Sequence, residues 1–113
     1  MLAEYDTLDA TALAGLIRAG EVSAREVFET ALARIAALEP MLNAIVHPHY
    51  DLAEADLQAG LPDGPFTGVP FLIKNTGFAV RGMELSTGSR LFAGAVDQAD
   101  GTLAARYRRA GLV

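Results

Sequence analysis

In the first third of the chain, apolar residues recur every three to four positions, which is the period of an amphipathic helix. Leu13, Leu16 and Ile17 predict a first helix over about residues 9–19. Gly20 follows it at the position where a left-handed residue commonly ends a helix. The start of the chain is therefore predicted to be helical.

The second helix has the clearest start signal in the chain. Ser23 stands at the N-cap position and Glu26 three residues later, as in a capping box. Apolar residues then follow at intervals of four, four and three, at Val27, Ala31, Ile35 and Leu38. We predict a helix over residues 24–38, ended by Pro40, because proline disfavours a helical conformation in the residue before it.

Shorter apolar runs between turn-forming residues predict strands further along the chain. We expect a short strand and then a helix within residues 43–60, and a strand buried on both faces at residues 68–74. Asp100 is expected to cap a last helix over residues 101–110. Because strands alternate with helices, the predicted class is α/β, with helices packed on a mixed sheet that these residues leave incomplete.

The apolar run at residues 68–74 ends in a lysine, and Asn75 and the residues after it break the pattern. Lys74 is thereby predicted to lie at the carboxyl end of a strand, the edge where open α/β sheets usually bind ligands. A lysine kept from water at such a site can act as a general base. Spacing alone favours the simpler alternative, a strand-end lysine that reaches water or protects an edge.

Five segments of the chain stand in a characteristic order and spacing: LIRAGEVS at residues 16–23, NAIV at 43–46, GPFTGVPFLIK at 64–74, TGSR at 87–90 and ARYRRAG at 105–111. With these segments, the chain from about residue 7 to residue 113 resembles the opening part of the amidase signature family. Members of that family cleave or transfer amides with a triad of serine, cis-serine and lysine. The order and spacing of the segments are more specific than any one of them.

The resemblance implies that Lys74 is the triad lysine, because it stands at the lysine of the family's GVPxxxK segment. Asn75 departs from the family, in which aspartate is common at that position. The resemblance also implies that the Gly/Ser-rich segment with the nucleophilic serine and the cis-serine follows residue 113. The serines of this sequence, Ser23, Ser86 and Ser89, do not lie in such a segment, and none is predicted to be a nucleophile.

Residues 1–113 are therefore expected to be the N-terminal segment of a single amidase-signature domain. The implied function is that of a hydrolase that cleaves carboxamide C–N bonds, with a small-molecule amide as substrate of the complete enzyme and no activity in the 113 residues alone. The alternative is a non-catalytic binding or assembly module that packs against a partner chain. In both cases we expect association with the rest of the chain or with another subunit.

Composition and charge exclude several kinds of partner, location and chemistry. The net charge of −5 argues against nucleic acid or an anionic membrane surface as a partner, since both attract basic proteins. The sequence contains no apolar run of membrane-spanning length and no recognisable signal peptide, so we expect a cytoplasmic protein. The absence of cysteine excludes disulfides and a thiol nucleophile.

Two histidines form the one pattern that suggests a metal. His47 and His49 are two residues apart and would share a face of an extended segment, close to Asp51. Such spacing is common, and the sequence has no further histidine and no cysteine to complete a site. We therefore predict no metal and no cofactor.

Overall fold

The computed structural model describes residues 2–113. Its helices, in chain order, are α1 (Ala10–Ala19), α2 (Ala24–Leu42), α3 (Tyr50–Ala59) and α4 (Thr102–Arg109), with single 3-10 turns at Tyr5–Thr7 and Arg90–Phe92. The other described residues form turns and extended segments, which include one isolated antiparallel bridge between Glu84 and Val96. None of the helices in this part of the chain is long and apolar enough to cross a membrane.

No β-strand forms within residues 2–113, so the predicted α/β class with a mixed sheet is wrong for the described residues. The segment before Lys74 instead makes a few backbone hydrogen bonds with the residues after α4, the first of them from the Gly68 N–H to the Gly111 carbonyl at 2.9 Å. Val113 N–H donates to the Val69 carbonyl at 3.0 Å, and Phe71 N–H donates to the Val113 carbonyl at 2.7 Å. These two bonds have the pattern found between parallel strands. A β-ladder would require the pattern to continue over several residues of both segments.

The strand predicted to begin at Asn43 is also absent, and α2 continues four residues beyond the predicted end at residue 38. Pro40 lies inside the last turn of α2, and Asn43 ends the helix in the left-handed conformation, with its N–H bonded to the Glu39 carbonyl at 2.8 Å. Asparagine is one of the few residue types that adopt this conformation readily. The stop signal of α2 is therefore Asn43 and not Pro40.

The predicted starts of α1 and α2 are confirmed. Asp9 caps α1 by accepting a hydrogen bond from the Ala12 N–H at 2.8 Å. At α2, the Ser23 hydroxyl accepts from the Glu26 N–H at 3.1 Å, and the Glu26 carboxylate accepts from the Ser23 N–H at 3.0 Å. The Ser23 hydroxyl also donates to the Glu26 carboxylate at 3.0 Å, and the bonds from the Ser23 N–H and hydroxyl to this carboxylate hold the pKa of Glu26 below its usual value. Both caps are local interactions, which is why the sequence reveals them.

The core lies where α1 and α2 meet the segment that leads to Lys74. Leu13 and Ala14 of α1, Val27 of α2 and Val69 are all buried there, and Val27 is fully buried. Partly buried apolar side chains surround them, among them Ile17, Val22, Phe66 and Leu112. The helical stripes predicted from the sequence therefore form the core in the first half of α2, whereas Leu38 in its second half is exposed.

Gly68 lets the segment before Lys74 pass close to the start of α2. Its φ is +84°, and a Cβ at this position would lie 2.6 Å from the Ala24 Cβ and 3.1 Å from the Ile17 Cδ1. A glycine avoids both the strained backbone conformation and the contact. The next residue, Val69, is held in the core, so the chain is anchored five residues before Lys74.

The predicted cap of the last helix is wrong. Gly101 is the N-cap of α4 and makes no side-chain hydrogen bond, while the Asp100 carboxylate accepts from the Arg81 N–H at 2.8 Å. Asp100 also forms an ion pair with Arg108, whose Nε lies 2.9 Å from Oδ2. Arg108 in turn reaches Asp56 of α3 at 2.8 Å. This network joins α3, α4 and the loop before α4.

Candidate functional site

An open cleft of about 970 Å³ runs along the second half of α2. Its other walls come from residues 44–49, α3, residues 70–76 and residues 83–88. This volume lies within the range of clefts that bind small molecules. The cleft is thus the part of the described chain that can receive a ligand or another polypeptide segment.

Lys74, the predicted catalytic residue, lies on the wall of this cleft. Its side chain is exposed, and within residues 2–113 its ammonium has no hydrogen-bond or ion-pair partner. The water-excluded surroundings expected from a covered strand are therefore not provided by the described residues. The described residues place Lys74 at the edge of the cleft.

Asn75, which follows Lys74, is bound to Ser86 by two hydrogen bonds. The Ser86 N–H donates to Asn75 Oδ1 at 3.1 Å, and Asn75 Nδ2 donates to Ser86 Oγ at 2.7 Å. A backbone N–H can only donate, so its partner must be the amide oxygen, and this fixes the orientation of the Asn75 amide. Ser86 is buried, and it ties the chain after Lys74 to residues 86–89.

His47 extends this arrangement into a polar cluster, which we define as His47, Asn75, Glu84 and Ser86. His47 Nε2 lies 3.1 Å from Ser86 Oγ and 3.7 Å from Glu84 Oε1. The neighbouring His49 uses its Nε2 to accept from the Glu84 N–H at 3.4 Å. Among residues 2–113, no group of three or more histidine, aspartate and glutamate side chains is arranged to hold a metal ion. Both histidines instead contact residues around the turn that begins at Ser86.

Sequence reasoning missed Asn75 and Ser86 as parts of a site. A tight turn at residues 86–89 is closed by the Ser89 N–H, which donates to the Ser86 carbonyl at 2.8 Å. The Thr87-Gly88 pair between two serines is a usable sequence signal for such a turn. No local rule connects that turn to Asn75, which lies eleven residues earlier. Ser89 itself caps the 3-10 turn that follows it.

One wall of the cleft is apolar and exposed. We call residues 68–74 the lysine segment. We define the apolar wall as five side chains that come from α2, from residues 44–49 and from the lysine segment, and each is between 43% and 64% exposed: Leu38, Leu42, Val46, Phe71 and Leu72. The Phe71 ring packs on Tyr107 of α4, with centroids 4.9 Å apart, and leaves its other side open. Adjoining apolar side chains with this exposure are typical of a surface that another segment covers.

The chain belongs to the amidase family, since residues 26–113 match the family model described as Amidase. The resemblance identified from the sequence is therefore confirmed. A glutamyl-tRNA(Gln) amidotransferase subunit from Acidothermus cellulolyticus is 39% identical over 111 residues, which are 92% of this chain and 22% of that relative. A 6-aminohexanoate-cyclic-dimer hydrolase from Pseudomonas sp. is 42% identical over 67 residues, which are 59% of this chain and 13% of that protein.

The architecture agrees with that of the matching segment of a solved 6-aminohexanoate cyclic dimer hydrolase. The structure of 6-aminohexanoate cyclic dimer hydrolase complexed with substrate superimposes with a TM-score of 0.88 at 31% identity. The match covers 99% of this chain and 23% of the hydrolase. This chain thus spans less than a quarter of the length of that enzyme, and it has the same arrangement as the matching segment.

Proposed function

We propose that this chain is the N-terminal segment of an amidase-type hydrolase that cleaves carboxamide C–N bonds, and that Lys74 is the lysine of its triad. The observation that carries the proposal is the position of Lys74. It follows the GVP run, whose Val69 is fixed in the core, and it lies at the edge of the open cleft. Membership of the amidase family supports the same assignment.

In this proposal Lys74 accepts a proton from the cis-serine, and the cis-serine accepts one from the nucleophilic serine as its oxygen attacks the amide carbon. The amine leaves with a proton, and water then hydrolyses the acyl-enzyme. The two serines and the oxyanion-hole amides come from polypeptide outside these 113 residues. When that polypeptide covers the apolar wall, it also removes water from around Lys74, which favours the neutral amine that a base requires.

A second candidate function is a non-catalytic binding or assembly module. The apolar wall supports it, because these five exposed side chains suit a protein partner whether or not catalysis follows. The amidotransferase relative is by its name one subunit of an enzyme, and it matches 92% of this chain. In this alternative, Lys74 only occupies the position of the triad lysine and has no role in a reaction.

One experiment separates the two functions. We define the joined enzyme as a polypeptide in which residues 2–113 replace the matching 23% of the solved 6-aminohexanoate cyclic dimer hydrolase. If Lys74 is the triad lysine, the joined enzyme hydrolyses the amide substrate of that hydrolase, and its Lys74→Ala variant does not. A folded joined enzyme without activity, or one with activity that survives Lys74→Ala, supports the assembly module instead.

A further inference from the structure

We propose that Asn75 and Ser86 are positioning residues that fix the place of Lys74 at the edge of the cleft. The inference rests on the proposed role of Lys74 as the triad lysine. The Lys74 side chain has no polar partner of its own within residues 2–113, so its position is set by the backbone on either side of it. The structure shows what holds that backbone before and after the lysine.

Before Lys74, the chain is fixed by Val69 in the core and by the two hydrogen bonds between Val113 and residues 69–71. Between Phe71 and Asn75, the described chain makes no backbone hydrogen bond. Asn75 is therefore the first point after the lysine at which the segment is held, through its two bonds to Ser86. Because Lys74 directly precedes Asn75, the hydrogen bonds between Asn75 and Ser86 also set the position of the Lys74 backbone.

The attachment point lies in a hydrogen-bonded turn with an unusual backbone conformation. Ser86 opens the turn at residues 86–89, and Thr87 in that turn has a φ of +52°. A β-branched residue holds this conformation only where its surroundings determine it, and such conformations cluster at functional sites. Ser86 is buried and bonded to Asn75 and His47, so the strained turn is held by the same residues that hold the lysine segment.

The direction of the hydrogen bonds explains why an amide suits this position. Asn75 donates to Ser86 Oγ, so the hydroxyl proton of Ser86 is free to point at His47 Nε2. An aspartate at residue 75 would accept from both the Ser86 N–H and the Ser86 hydroxyl, and the contact with His47 would then require the tautomer in which His47 Nε2–H donates to Ser86 Oγ. The amide at residue 75 therefore leaves the Ser86 hydroxyl proton available to His47 Nε2, and the Asn75–Ser86 attachment continues to His47.

The test compares three variants of the joined enzyme. Ser86→Ala removes the hydroxyl, Ser86→Thr keeps it, and Ser89→Ala makes the same deletion three residues away at a serine that does not contact Asn75. We expect Ser86→Ala to lower kcat about 10- to 100-fold with KM unchanged, since small misplacements of a catalytic group have effects of this size. Ser86→Thr should restore most of kcat, and Ser89→Ala should leave it unchanged.

A second readout does not depend on catalysis. We expect the backbone amide order parameters of Lys74 and Asn75, measured by NMR relaxation, to fall in Ser86→Ala and in Asn75→Ala and to stay high in Ser86→Thr. Unchanged order parameters, or a kcat in Ser86→Ala equal to that of Ser89→Ala, would overturn the positioning role. If instead Lys74→Ala leaves activity intact, the proposed function fails, and the order parameters still decide whether Asn75 and Ser86 hold the segment.

Discussion

Gly111 joins the end of α4 to the segment that leads to Lys74. The Gly111 carbonyl accepts from the Gly68 N–H at 2.9 Å, and Val113 pairs with Val69 and Phe71 just beyond it. The φ of Gly111 is +85°, and a Cβ on this residue would lie 2.6 Å from the Thr67 Cα. Backbone conformation and space therefore both require glycine here.

Gly111→Ala should destabilise the joined enzyme by about 2 kcal/mol or more, from a strained backbone and a displaced neighbouring segment. Gly15 provides the control, because a Cβ there meets nothing within 4 Å and the residue lies in the middle of α1. Gly15→Ala should stabilise by about 0.5–1 kcal/mol. Denaturant unfolding of both variants measures the difference, and equal stabilities would show that Gly111 is not needed for this junction.

At the scale of elements, α2 combines the strongest local start signal with the greatest length. Its capping box is formed at an exposed site, so the hydrogen bonds between Ser23 and Glu26 do not depend on the rest of the fold. The helix has 19 residues, beyond the length at which isolated helices are marginal in water. A peptide of residues 20–43 is therefore suited to testing the cap in isolation.

The helicity of this peptide should decrease as the pH falls through the lowered pKa of Glu26. The direction follows from the hydrogen bonds, which favour the charged carboxylate: their stabilisation is present above the unfolded-state pKa and is lost as the carboxylate is protonated. Circular dichroism from pH 7 down to about pH 2 records the transition. Glu26→Gln should flatten it, whereas Glu29→Gln on the same helix should not, and equal titrations of the two variants would contradict the role of the cap.

The elements that the sequence predicts correctly are those whose signals are local. Asp9, Ser23 and Glu26 act within three residues, and they mark the starts of α1 and α2 correctly. The strand assignment at residues 68–74 failed because an apolar run shows that a segment can be covered but not which residues pair with it, and the pairing found here comes from Gly111 and Val113, which follow α4. The candidate site likewise combines a residue that a local motif reveals with long-range contacts that no local motif reveals.

Lys74 could be identified from its motif, because the motif is contiguous in the sequence. The hydrogen bonds of Asn75 to Ser86, and of Ser86 to His47, could not, because they join residues 11 and 39 positions apart. The exposure of Lys74 was also beyond prediction, since it depends on which segments cover the cleft. A sequence pattern carries residue types and spacing, and it leaves such long-range contacts undetermined.

At the scale of the whole molecule, the apolar wall should make the isolated chain associate. Several hundred Å² of contiguous apolar surface is more than monomeric proteins usually expose. We expect residues 1–113 alone to form oligomers or aggregates in sedimentation velocity and to bind a hydrophobic dye. A compact monomer that unfolds cooperatively and binds no dye would contradict this expectation.

One double variant and one control variant locate the association. Leu42→Lys with Leu72→Lys places charges on the apolar wall and should shift the isolated chain towards monomer. Leu91 is 83% exposed but lies outside the cleft, so Leu91→Lys is the matched control and should change association little. An equal effect of Leu91→Lys would assign the association to exposed leucines in general and not to the cleft.

If Lys74 takes part in acyl transfer as proposed, single-turnover acylation of the joined enzyme depends on it. Rapid mixing with the amide substrate gives the rate of the first product release separately from later deacylation and from binding. Lys74→Ala should lower the acylation rate about 10²- to 10⁴-fold, the usual contribution of a positioned base, with substrate affinity and thermal unfolding unchanged. An acylation rate within about twofold of the parent enzyme would show that Lys74 has no role in acyl transfer.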